Sequence, residues 1–294
     1  MAASARPRRS VLYMPGSNAR ALDKGRMLPA DGLILDLEDA VAPDAKDLAR
    51  RQIKDALDQG GYGGREIAVR VNALDSDWGN ADLKAAASMK LDAVLLPKVE
   101  TAQMVVDAIA VLDGAGGDKN IPIWCMMETP LGVLNAREIA FADPRVACFV
   151  MGTSDLAKDL HALHTMDRTP FITSLGLCLL AGRAAGLAVL DGVYLDLSDD
   201  QGFLASCQQG LEFGFDGKTL IHPKTINAAN QAFAPTETDI NWSKRIIDAH
   251  TQAQQQGQGV VVVDGKLIEN LHIDNANRLV SMASAIADLE AANR

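Results

Sequence analysis

The 294-residue sequence contains no run of about 18 apolar residues, so no membrane-spanning helix is expected. Its four cysteines, Cys125, Cys148, Cys178 and Cys207, show no CxxC spacing. That removes a zinc site and a disulfide framework from consideration and fits a reduced, cytoplasmic chain. The opening MAASARPRR has no apolar segment of a signal peptide and is too short for a transit peptide, so it reads as a frayed tail. Bases are scarce, 28 against 38 acids, and the formal charge of -10 argues against nucleic acid or a polyanionic membrane surface as partner. A small molecule is the expected partner. The one glycine cluster, GGYGG at 60–64, precedes a strand-like run and has Glu66 where the third glycine of GxGxxG would fall, so it reads as a loop.

What is present is a large apolar fraction, 48%, arranged in short runs separated by amphipathic stretches. VLYM (11–14), GLILDL (32–37), IAVRV (67–71), AVLLP (93–97), IPIWCMM (121–127), VACFVM (146–151), AVLDGVY (188–194) and FDGKTLI (215–221) are candidate strands. Eight near-continuous apolar strands alternating with helices predict a parallel sheet buried on both faces. The count suits a closed (β/α)8 TIM barrel over residues 1–233, with an open doubly wound sheet as the alternative. The pattern changes at APTETD. Residues 234–294 are expected to form a small C-terminal appendage. In it, a helix opened by Thr236 and Asp239 should stop near Gly257, a hairpin should turn at Asp264-Gly265, and a last helix should start at about Ile273.

Polar residues gather at the ends of the strand runs, where a barrel opens its active face. Asp36, Glu38 and Asp39 end the second run, Arg70 and Asn72 the third, Lys98 the fourth, Glu128 the fifth, and Thr153, Ser154 and Asp155 the sixth. Carboxylates facing one cavity repel unless a cation shares them, and an oxygen-only set without His or Cys favours magnesium, with manganese as the alternative. Glu128 and Asp155 are the expected direct ligands, although Asp155 could instead cap the helix that follows. Asp36 and Glu38, two apart and so on one side of the strand, should hold waters around the metal or orient Arg70. Asp39, on the other side, reads as a cap or loop contact. Lys46 and Lys98 suit either a substrate or the acidic cluster; His222 reads as a structural contact, and Met126 and Met127 as barrel packing. Arg6, Arg8, Arg9, Arg20, Lys24 and Arg26 form a local reversal of charge that could receive phosphates.

RSVLYMPGSNARALDKG, DGLILDLEDAVAPDAK, VRVN, LLPKVE, METPLGVLNA, MGTSDLAKDL and GFDGKTLIHP together resemble the citrate lyase β-subunit and malyl-CoA lyase family, from about Arg9 through the last helix. The resemblance implies a (β/α)8 barrel, magnesium on Glu128 and Asp155, and Arg70 on the substrate. It also implies a coenzyme A thioester, with Arg20 and Lys24 at positions matching coenzyme-binding residues. It further implies a homotrimer or homohexamer in which the appendage completes a neighbouring subunit's active site. Where the lyases have a catalytic aspartate in the hairpin, this chain reads Gly265-Lys266-Leu267-Ile268-Glu269, followed by Asn270-Leu271-His272. That departure resembles the (3S)-malyl-CoA thioesterase branch, which hydrolyses the thioester; the plainer reading of Glu269 is a tolerated exchange of one acid for another.

Overall fold

The computed structural model describes residues 6–255 and 261–293. The chain divides into two compact units, one spanning Arg8–Phe233 and the other built on the segment that begins at Ala234.

In the first unit, β1 (Ser10–Pro15), β2 (Gly32–Asp36), β3 (Glu66–Arg70), β4 (Ala93–Leu96), β5 (Ile123–Met127), β6 (Val146–Met151), β7 (Ala188–Asp191) and β8 (Gly217–Leu220) form a closed parallel barrel in chain order. β8 pairs back onto β1 through Lys218 with Ser10 and Thr219 with Val11, which excludes the open-sheet alternative. Side-chain alternation sorts the strands into two cores. Val11, Ile34, Ala68, Leu95, Trp124, Met126, Cys148 and Leu190 fill the barrel. Leu33, Leu35, Val69, Val94, Met127, Phe149 and Val189 face the surrounding helices. All four cysteines are free and buried, and among the described residues no helix is long and apolar enough to cross a membrane.

Alternation also fixes what lies at each end of the barrel. The register pairs Pro15 with Asp36, Asp36 with Arg70 and Arg70 with Leu95, so an acid and a guanidinium share the parity of Ile34 and Ala68 at the carboxyl end of the strands. At the opposite end, Arg8 donates to both carboxylate oxygens of Glu66, at 2.5 and 2.8 Å, and lies 5.4 Å over the Trp124 ring. Beside it, Arg9 holds Asp31 bidentately at 2.9 and 2.8 Å. Arg8 and Arg9 therefore close the barrel floor and do not join a phosphate-binding cluster. The GGYGG segment is a loop: Gly60, Gly61 and Gly63 all take positive φ, and Gly60 ends the helix Lys46–Gln59.

The second unit carries the helix Glu237–Gln255, a hairpin of β9 (Val261–Val263) and β10 (Lys266–Ile268), and the helix Asn270–Ala292. Asp239 N–H and Thr236 Oγ1 are 3.1 Å apart at the start of the first helix; its expected end at Gly257 lies outside the described residues. Asp264 and Gly265 both have positive φ, 49° and 76°, as a two-residue turn of the mirror-image type requires. Ile246, Val263, Ile268, Ile273 and Ala276 make a small core. The last helix starts three residues before Ile273, because Glu269 and His272 cap it reciprocally. The Glu269 carboxylate accepts from the His272 backbone, and His272 Nδ1 accepts the Glu269 N–H at 3.0 Å.

Candidate active site

Asp36, fully buried at the end of β2, accepts four hydrogen bonds. Arg70 Nε and Nη2 supply two, at 2.7 and 2.6 Å, and the N–H groups of Glu38 and Ala40 the others, at 2.9 and 3.1 Å. A buried carboxylate is tolerable when it is paired and its lone pairs are filled, and here both conditions hold. The Arg70 guanidinium also lies 4.9 Å over the Tyr13 ring. Burial alone would lower its pKa, but Asp36 carries it well above the usual range, so Arg70 stays charged. Glu38 Oε2 is 2.8 Å from Arg70 Nη1 yet has no well-aligned donor among the described residues, so that contact is coulombic. Asp39 is farther, 3.6 Å from Arg70, and its side chain is largely exposed.

Lys98, just after β4, binds this cluster. Its backbone is left-handed, φ 47°, a costly conformation for a residue with a side chain. Its N–H reaches Glu128 Oε1 at 2.8 Å while its ammonium reaches Glu38 Oε1 at 2.8 Å and Asp155 Oδ2 at 3.7 Å. The hydrogen bond and charge of Glu38 overcome burial and raise the Lys98 pKa. Among the described residues that N–H is the one donor to Glu128, and burial, reinforced by Glu38, pushes its carboxyl up to about 8. Asp155 sits in the first turn of the helix Thr153–Asp159 and does not cap it. Lys46, in contrast, is buried among main-chain groups: its ammonium donates to the carbonyls of Leu37 and Glu38 and to Asn72 Oδ1 at 2.7 to 2.8 Å, splinting β2 to β3.

A cavity of about 350 Å³ opens above these residues and is lined by Tyr13, Asp36, Arg70, Glu128, Thr153 and Asp155, among others. Glu38 and Lys98 face a neighbouring cavity of about 380 Å³, and Asp39 borders both. Among the described residues, no three His, Cys, Asp or Glu side chains converge as a metal cage. Glu128 and Asp155 nevertheless suit a hard ion that keeps several waters and takes one or two carboxylates. The space beside Glu128 is kept by Gly152, where a Cβ would come within 2.3 Å of Glu128 Oε2. An under-coordinated buried carboxylate, a second acid on the same cavity and no soft donor fit magnesium.

Arg20 and Lys24 are exposed one turn apart on the helix Ala19–Gly25, whereas Arg26 is committed to Tyr62 and to the carbonyl of Gly60. Glu269 belongs to the second unit. His222 caps a short turn, its Nδ1 accepting Lys224 N–H at 3.1 Å. Met126 packs inside the barrel but also touches the site, its Sδ 3.7 Å from Arg70 Nη1 and 3.6 Å from the Tyr13 hydroxyl.

The family model described as HpcH/HpaI aldolase/citrate lyase matches residues 9–223. A (3S)-malyl-CoA thioesterase of Cereibacter sphaeroides strain KD131 is 51% identical over 291 residues, covering 99% of this chain and 100% of its own. The citrate lyase subunit beta of Escherichia coli K12 is 38% identical over 95% of this chain and 94% of its own. Among solved structures, the protein CitE from Mycobacterium tuberculosis in complex with magnesium, acetoacetate and coenzyme A matches with a TM-score of 0.75 at 27% identity, over 96% of this chain and 99% of that one.

Proposed function

The chain belongs to the HpcH/HpaI aldolase/citrate lyase family, and from that membership we propose that it is a magnesium-dependent enzyme hydrolysing the thioester of malyl-CoA or a close homologue. The observation that carries the reading is the barrel mouth, where Arg70, Glu128 and Asp155 line one cavity in a chain alignable almost end to end with a (3S)-malyl-CoA thioesterase.

Glu128 and Asp155 would hold the magnesium, which would supply Lewis-acid chemistry toward oxygens of the acyl group. Arg70, fixed by both forks on Asp36, supplies a donor to oxygen atoms that gain charge. Arg20 and Lys24 offer cations to the coenzyme phosphates. Glu269, delivered by the appendage of a neighbouring subunit in a homotrimer or homohexamer, takes a proton from water as general base. The water oxygen adds to the thioester carbonyl carbon, the carbon–sulfur bond breaks, and the proton passes to sulfur, giving malate and free coenzyme A.

A second reading uses the same parts. With Glu269 as an acid, retro-aldol cleavage would pass the hydroxyl proton to solvent water and break the bond between the hydroxyl-bearing carbon and the methylene, giving glyoxylate and an acetyl-CoA enolate that Arg70 stabilises and Glu269 protonates. It is favoured by the citrate lyase relatives, whose name denotes a subunit of a larger enzyme. Purified chain supplied with malyl-CoA and magnesium, and no other protein, is the test. Release of free coenzyme A that stops on chelation supports the proposal; no turnover without an added partner overturns it.

A further inference from the structure

Lys98 touches both carboxylates assigned to magnesium. Its N–H holds Glu128 Oε1 at 2.8 Å, and its ammonium stands 3.7 Å from Asp155 Oδ2 while hydrogen-bonding Glu38 at 2.8 Å. The first contact belongs to the backbone and depends on the left-handed φ of 47°. The second is beyond hydrogen-bond length but well inside coulombic range. From this arrangement we infer that Lys98 is a tethered competitor for the metal: its ammonium holds the acidic mouth together before the metal binds and opposes the metal's arrival, weakening the site. This rests on the assignment of Glu128 and Asp155 as ligands.

Charge supports the inference. Asp36 is matched by Arg70, and Glu38 shares Arg70 with Lys98, but the cation closest to Asp155 in the described ion pairs is Lys98. A divalent cation on Asp155 would face that ammonium at short range, where like charges repel strongly. The ammonium also has somewhere to go, because Lys98 and Glu38 both line the neighbouring cavity of about 380 Å³, which Asp155 does not line. Moving there keeps the Glu38 contact and gives up only the looser one to Asp155. Lys98 is thus a positioning residue with two separable parts, an N–H that orients Glu128 and a charge that sets metal affinity.

Binding of Mn²⁺ to the full-length protein, followed by the electron paramagnetic resonance signal of free Mn²⁺, separates these parts without reading activity. Lys98→Met keeps the N–H and the aliphatic stem and should bind Mn²⁺ ~10-fold more tightly than the wild type, the scale of removing one nearby charge. Lys98→Gly, which suits the left-handed backbone, should do the same should methionine disturb the fold. Lys98→Arg keeps the charge and should leave the affinity at the wild-type value. Neutral variants that bind no more tightly than the wild type, with binding still lost in Glu128→Gln, would overturn the inference and leave the metal assignment standing. Undiminished binding in Glu128→Gln would overturn both.

Discussion

Arg70→Lys separates charge from geometry at the centre of the site. Lysine keeps one positive charge but cannot grip both oxygens of Asp36, now held at 2.7 and 2.6 Å, and gives up the stacking on Tyr13 at 4.9 Å. Losing one of two charge-assisted hydrogen bonds to a fully buried carboxylate should cost about 2–3 kcal/mol of stability. For a unit of this size that lowers Tm by roughly 5–10 °C, readable by calorimetry. The N–H groups of Glu38 and Ala40 still serve Asp36, so the protein should fold. Removal of an oxyanion donor should lower kcat by about 10²-fold in a steady-state assay of coenzyme A release. If kcat held and only KM rose, Arg70 would be a uniform binding group, and the role given to it here would be refuted.

Glu128→Gln and Asp155→Asn should each reduce activity to near background while circular dichroism stays unchanged, and excess chelator should do the same to the wild type; full activity in chelator would remove the metal from the mechanism. Burial and Glu38 raise the Glu128 carboxyl from 4.5 to about 8, so its proton stabilises the metal-free fold fully below about 4.5, and that stabilisation is lost as pH rises through about 8. Tm of chelated protein should therefore fall between those limits by more in the wild type than in Glu128→Gln. If Glu269 serves a neighbouring barrel, mixing refolded Glu269→Ala and Arg70→Lys chains should restore about a quarter of wild-type activity, since a random ring pairs a sound barrel with a sound appendage at that frequency. No recovery from two inactive variants would place Glu269 at its own barrel, and an active Glu269→Ala would place it outside the chemistry.

The barrel was legible because its strands are buried on both faces and read as apolar runs, and period-2 spacing put Asp36 and Glu38 on one side of their strand and Asp39 on the other. Partners distant in the chain were not. Arg8 and Arg9 read as a basic patch from charge alone, while Glu66 and Asp31, 58 and 22 residues away, neutralise them at the floor. Lys98 showed its charge but not its left-handed backbone, which is what turns its N–H onto Glu128. The early start of the last helix was hidden because histidine occupies the position where a capping box ordinarily has Glu or Gln.

Thioester hydrolysis itself is tested most directly by the fate of malyl-CoA. One sample of pure protein with magnesium should be followed for thiol, malate, glyoxylate and acetyl-CoA on a single time course. The wild type should release coenzyme A and malate faster than glyoxylate, Glu269→Ala should lose that release while still binding substrate, and Glu269→Asp should move the ratio toward glyoxylate. Equal glyoxylate and acetyl-CoA from the wild type, with little free thiol, would contradict the account and make the protein a lyase whose acid is glutamate.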